Sequence, residues 1–190
     1  MMKSQIIRKL KLGSWNINHV RDKVEDDDFV HIVNNYDILG LVETWLSPDE
    51  DIDIDGFYAY SVVRNKSKVA RSYSGGIAIL VKNDIKHAVK IVDYSSDFIV
   101  WIKVDKNYTG LNFDLYIAVA YIPPTNSSLY RSKCQIDPFV ELTESVNAFS
   151  ALGQVLIMGD LNSRTGSLKD YVVDDSTKYL PIDGMEDIYN

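Results

Sequence analysis

Val155-Leu156-Ile157-Met158-Gly159-Asp160-Leu161-Asn162 is the stretch around which the chain is organised. Four consecutive apolar residues read as a short strand buried on both faces, and Gly159 allows a sharp turn where the run ends. A carboxylate and a carboxamide follow at once. Side chains on extended backbone alternate with period two, so Asp160 and Asn162 are expected on one side, at the mouth of a sheet.

Upstream, Asp137 as N-cap, Pro138 at the first helical position, and Phe139, Leu142, Val146 and Phe149 at helical spacing predict a helix that leads into this strand. Residues 75–81, 88–92, 98–104 and 113–121 read as four strands of an antiparallel meander, which Pro123-Pro124 ends. Nearer the N-terminus, Leu10-Lys11-Leu12-Gly13-Ser14-Trp15-Asn16-Ile17 alternates apolar and polar residues and finishes in the pair Asn16 and Asn18. Asp26, Asp27 and Asp28 suit a helix N-terminus ahead of Phe29, Ile32, Val33 and Tyr36, and Ile38-Leu39-Gly40-Leu41-Val42 then runs straight into Glu43. Strand, helix and strand in that order make a βαβ beginning, which gathers the residues past its strand ends at one sheet edge.

The 190 residues form one domain, 1–190, in which 46% hydrophobic content supplies a sizeable core. A formal charge of −7 argues against non-specific coating of nucleic acid, yet leaves room for an acidic site filled by a cation. Cys134 is the only cysteine, so neither an intrachain disulfide nor a thiolate cluster can form, and a reducing compartment fits. Residues 1–20 hold no apolar stretch of signal-peptide length, and no run approaches the roughly 20 residues of a membrane helix. The expected location is therefore intracellular, nuclear or cytoplasmic, without secretion or membrane partners. On that reading the glycosylation-type triplets at Asn65, Asn107 and Asn126 are chance.

Four motifs then stand in order: Ser14-Trp15-Asn16-Ile17-Asn18, Leu41-Val42-Glu43-Thr44-Trp45, Ala120-Tyr121-Ile122-Pro123-Pro124 and Met158-Gly159-Asp160-Leu161-Asn162. Together with Ser74-Gly75-Gly76-Ile77-Ala78-Ile79, they resemble the endonuclease/exonuclease/phosphatase family, and within it the apurinic-type endonuclease domains of non-LTR retrotransposons. The resemblance covers residues 10–165. It implies a four-layer α/β sandwich, two packed mixed sheets flanked by helices. It also implies Glu43 as principal metal ligand with Asn16 beside it, Asp160 as the residue that orients or deprotonates the attacking water, and Asn162 and Tyr121 around the scissile phosphate. The residue types suit this chemistry. Mg²⁺, or Mn²⁺ in its place, takes oxygen ligands from one or two carboxylates, a second carboxylate can act as base, and neutral amides hold geometry without adding negative charge.

The chain departs from the family at one point. The family's site is completed by a C-terminal Ser-Asp-His-type motif, whereas His19, His31 and His87 all precede Asp160 and none matches that position. The expectation is a C-terminally truncated domain, with C-terminal strands missing and an open edge or apolar patch in their place. His31 falls on the first helix, His19 in a loop and His87 near a strand start, each structural or solvated.

Arg64, Lys66, Lys68 and Arg71 form a basic run next to Tyr73 that reads either as a nucleic-acid contact or as a solvated hairpin loop. With Asn18 they complete the candidate substrate contacts. Cys134 reads as a loop thiol, with no histidine near it in sequence. The leading function is Mg²⁺-dependent phosphodiester hydrolysis, as nicking of a DNA substrate. The alternatives are an inactive remnant that binds nucleic acid or protein, and the same metal site turned on a phosphoinositide, a sphingolipid or an RNA tail.

Overall fold

A computed structural model describes residues 9–64 and 73–163. Strand β1 (Leu12–Asn16) pairs in parallel with β2 (Ile38–Val42), and helix α1 (Asp27–Val33) crosses between them, as the sequence predicts. Asp26 caps α1 by accepting the Asp28 N–H at 2.9 Å, while Asp27 and Asp28 face the positive end of the helix. Phe29 and Val33 are buried, but Ile32 is exposed. In a helix of only seven residues the 29/33 pair forms the buried face, with Val30 packed partly against the same core.

Strand β3 (Phe57–Val62) pairs antiparallel with β4 (Ile77–Lys82), which in turn lies antiparallel beside β2, giving a first sheet in the order β1-β2-β4-β3. β3 is not among the expected strands. It carries no aliphatic run, and as an outer strand it stays half-buried, so its burial signal is weak. A single 3₁₀ turn (Lys86–Ala88) leads into β5 (Val89–Asp93), β6 (Ile99–Val104), the short α2 (Lys106–Thr109) and β7 (Leu115–Tyr121). Helices α3 (Ser128–Lys133) and α4 (Pro138–Ser150) then lead to β8 (Gln154–Asp160), which joins β7 in parallel. The second sheet reads β5-β6-β7-β8.

The expected four-stranded meander is thus corrected: β5, β6 and β7 form it, while β4 belongs to the first sheet. β4 is apolar on both faces, with Ile77, Ile79 and Val81 on one and Ala78 and Leu80 on the other, which suits an interior strand covered from both sides.

Period-two alternation separates the layers. Ile38, Val42, Ile77, Ile79 and Val81 point from the first sheet into a core shared with Val100, Ile102, Ile117 and Val119 of the second. Leu39, Leu41, Ala78 and Leu80 point the other way, onto Phe29 and Val33 of α1. Each such leucine contributes about 2 kcal/mol by leaving water. Outside the second sheet, Phe149 of α4 lies 4.6 Å from Trp101 and 5.0 Å from Tyr116, ring centre to ring centre. Helix, sheet, sheet and helix are the four layers of an α/β sandwich.

β8 departs from its expected burial. Leu156 is 37% and Ile157 40% exposed, because among the described residues β8 has a neighbour on one side only. Gly159 does not end the strand either. It lies inside β8 with φ 134°, where a Cβ would come within 2.8 Å of the Ala120 backbone, so close approach to β7 requires glycine. The expected absence of C-terminal strands falls outside the described residues.

Candidate active site

Four strands from two sheets bring their C-terminal ends together. β1 ends in Asn16, Glu43 directly follows β2, β7 and β8 end in register at Tyr121 and Asp160, and Asn16 Nδ2 donates to Asp160 Oδ2 at 2.8 Å. Asn16, Glu43, Tyr121, Asp160 and Asn162, separated by up to 146 positions in the chain, therefore share one mouth of the sandwich.

Local backbone chemistry sets each side chain. Asn16 Oδ1 accepts the Asn18 N–H at 3.2 Å, and Asp160 Oδ1 accepts the Asn162 N–H at 3.1 Å, so both strands close in the same Asx-type turn. Asp160 and Asn162 share the mouth for this reason and not through strand alternation, since Asn162 has left the extended region with φ 45°. Its Nδ2 is anchored on the Ile122 carbonyl at 3.1 Å.

Among the described residues, the non-glycine positions with positive φ are Asn18 (44°), His19 (75°), Glu43 (59°), Trp45 (58°) and Asn162 (45°). All five lie in the loops of this mouth. Such conformations cost about 1–3 kcal/mol each and gather where a site holds side chains in unusual directions. Trp45 and Glu43 share one such loop, which lets Trp45 Nε1 donate to Glu43 Oε2 at 2.7 Å. His19 stands edge-on to Trp45, 5.8 Å between ring centres.

The glycine-rich motif supports this loop from beneath. Gly75 and Gly76 have φ values of 74° and 85°, and the Gly75 carbonyl accepts the Trp45 N–H at 2.8 Å. A Cβ on Gly76 would come within 2.7 Å of Thr44 Oγ1.

Tyr121 is buried, and the Glu43 carboxylate acts on its phenol. Desolvation first, and then the nearby Glu43 carboxylate, push the phenol well above its ordinary pKa, so it stays protonated.

Arg64 differs most from its sequence reading. It is 4% exposed, with its guanidinium 4.9 Å from the Phe98 ring centre and 5.7 Å from that of Tyr121, and Nη2 donating to the Asp97 carbonyl at 3.2 Å. It is neither a solvated loop cation nor a surface contact for a nucleic-acid backbone. Burial lowers its pKa against the opposing pull of Glu43 and Asp97. Lys66, Lys68 and Arg71 lie outside the described residues. Asn18 is exposed beside Asn16. Sequence reasoning also missed Trp45 as a partner of Glu43; its place two residues on, in a motif already singled out, was the available signal.

The donor set fits a hard divalent cation. Glu43 and Asp160 offer carboxylate oxygens and Asn16 and Asn162 carbonyl oxygens, a set suited to Mg²⁺ with several waters. No group of three or more His, Cys, Asp or Glu poised for a metal occurs among the described residues. No helix of the described residues is long and apolar enough to cross a membrane. Cys134 ends α3, and burial pushes its thiol pKa up, as suits an unreactive cysteine.

Residues 13–178 match the model of the Endonuclease/Exonuclease/phosphatase family. Solved structures similar to this chain include an AP endonuclease from Leishmania major (TM-score 0.59, 15% identity, 80% of this chain and 55% of that one). The APE2 catalytic domain from Xenopus laevis matches with TM-score 0.60 and 19% identity, over 81% of this chain and 59% of that one. An AP endonuclease from Archaeoglobus fulgidus matches at 0.53 and 19%, over 81% and 58%. At these identities the likeness is one of fold, and the chain spans little more than half the length of these structures. No curated protein matches the sequence.

Proposed function

As the chain belongs to the endonuclease/exonuclease/phosphatase family, we propose that its strand-end site is a divalent-metal-dependent phosphodiesterase that nicks DNA. The observation that carries this reading is the convergence of Asn16 and Asp160, joined at 2.8 Å, with Glu43 at the neighbouring strand end. The motif order supports reading the domain as most like the apurinic-type endonucleases of non-LTR retrotransposons. An intracellular site of action, nuclear or cytoplasmic, goes with that placement.

Asp160 is the general base. Its carboxylate accepts the proton of the attacking water, while the Asn16 amide fixes its rotamer and leaves lone pairs free on both oxygens. Glu43, aided by the Asn16 carbonyl, would hold the Mg²⁺, which when bound neutralises the non-bridging phosphate oxygens. Trp45 donates to the Glu43 carboxylate, so its direction is set before substrate arrives. Asn162, with one amide hydrogen on Ile122, keeps the other for a phosphate oxygen.

Substrate class is tested by offering the chain supercoiled plasmid, a phosphoinositide and sphingomyelin with Mg²⁺, and following phosphodiester cleavage in each. DNA cleavage alone supports the reading. Cleavage confined to the lipids contradicts it, and binding of DNA without cleavage of any substrate would recast the domain as a binding module.

A further inference from the structure

Beside Asn162 the surface opens into a cleft of about 830 Å³, lined by Pro124, Thr125 and Asn126 after β7, Phe139 of α4, and Asn162 and Ser163 after β8. Its volume is in the range of small-molecule sites. Phe139 is 37% exposed although its spacing assigned it to the buried stripe of α4, whose first turns instead bury Pro138 and Leu142. An apolar ring is thus left in a cleft that is otherwise mostly amide and hydroxyl.

Both walls are held in place. Asp137 caps α4 by accepting the Phe139 N–H at 2.9 Å, and Thr143 Oγ donates to the Phe139 carbonyl at 2.7 Å. Opposite, Arg131 Nη2 donates to the Asn126 carbonyl at 2.8 Å, and the Ser127 N–H donates to the Pro124 carbonyl at 2.9 Å. Arg131 also brings a positive charge to the loop that forms this wall.

We infer that this cleft is a nucleotide subsite in which the exposed Phe139 ring stacks the base of the nucleotide adjoining the scissile phosphate. The inference rests on the proposed function, because Asn162 belongs both to the cleft and to the phosphate site. An aromatic face accepts any base, whereas the amides and hydroxyls of Thr125, Asn126 and Ser163 suit a sugar and its phosphate. The lining contains no cluster of cations for a polyphosphorylated headgroup.

The test is binding of a fluorescein-labelled DNA oligonucleotide, read by anisotropy at low salt without Mg²⁺. Wild type is compared with Phe139→Ala, Phe139→Leu and Phe139→Trp, thermal midpoints serving as the folding control. Stacking predicts that Ala and Leu weaken binding about 5- to 100-fold while Trp restores it. Unchanged affinity in Phe139→Ala, or rescue by Leu as good as by Trp, would overturn the inference. Hydrolysis of bis(p-nitrophenyl) phosphate by wild type separates the two readings. Hydrolysis without DNA binding sinks the subsite and spares the phosphodiesterase. Phe139-dependent DNA binding without hydrolysis of either phosphodiester does the reverse.

Discussion

Asn16 and Asp160, 144 residues apart in the chain, are joined by a 2.8 Å hydrogen bond across the mouths of the two sheets. Each also accepts the N–H of the residue two places on, and those residues, Asn18 and Asn162, have φ values of 44° and 45°. The C-terminal ends of β1 and β8 are thus built alike and face one another. One end carries the amide and the other the carboxylate that it orients.

Asn16→Ala removes the donor that fixes the Asp160 rotamer and is expected to lower kcat for plasmid nicking by about 10- to 100-fold. Asn16→Asp sets a second carboxylate against Asp160 and should cost more. The steady-state rates of the two variants check the order. Equal, near-wild-type rates would mean that the bond is incidental.

Asn18 carries backbone strain that glycine would relieve. Asn18→Gly is expected to leave stability within about 0.5 kcal/mol of wild type or above it, and Asn18→Val to cost about 1–2 kcal/mol, as β-branched residues disfavour positive φ. Urea denaturation of both variants decides. A Val variant as stable as the Gly variant would show that this turn relaxes without strain.

Much of the architecture is legible in the sequence, and the exceptions share a cause. β1, α1, β2, α4 and β8 announce themselves because caps and aliphatic patterns agree. β3 escapes because Phe57-Tyr58-Ala59-Tyr60-Ser61-Val62 packs mainly through one neighbour and carries little aliphatic signal. The assignment of β4 to the first sheet is invisible to local pattern, since strand pairing depends on partners distant in sequence. Asn16, Glu43, Tyr121, Asp160 and Asn162 could be placed at strand ends from sequence. The burial of Arg64 could not, because a basic run looks alike whether its first member points to water or folds under an aromatic pair.

Gly40 of β2 faces Val119 and Met158 of the second sheet at close range. A Cβ there would lie 2.7 Å from Val119 Cγ1 and 3.3 Å from Met158 Cε, so Gly40→Ala is expected to destabilise by about 1–3 kcal/mol. Because β8 carries Asp160, nicking should fall along with stability. Val119→Ala in the same chain should restore part of both, which a double-mutant cycle measures.

Acid sensitivity should include one local contribution. Arg21 and the Ser47 N–H and hydroxyl converge on Glu50 Oε2 and lower its pKa to about 2 from an ordinary 4.5. A depressed carboxylate stabilises the fold fully above its unfolded pKa and loses that contribution as pH falls through the folded one. The urea-midpoint advantage of wild type over Glu50→Gln should therefore shrink between pH 4.5 and pH 2. An advantage constant over that window would contradict the assignment. As the pair is partly exposed, high salt should reduce it as well.

The central claim is that the converging strand ends form a metal-dependent phosphodiesterase site, and nicking of supercoiled plasmid by the purified chain tests it most directly. The account predicts nicking with Mg²⁺ that is abolished by a chelator, by Glu43→Ala and by Asp160→Ala, all in folded protein. Nicking that persists in both variants, or no nicking by demonstrably folded wild type at saturating Mg²⁺, would contradict it.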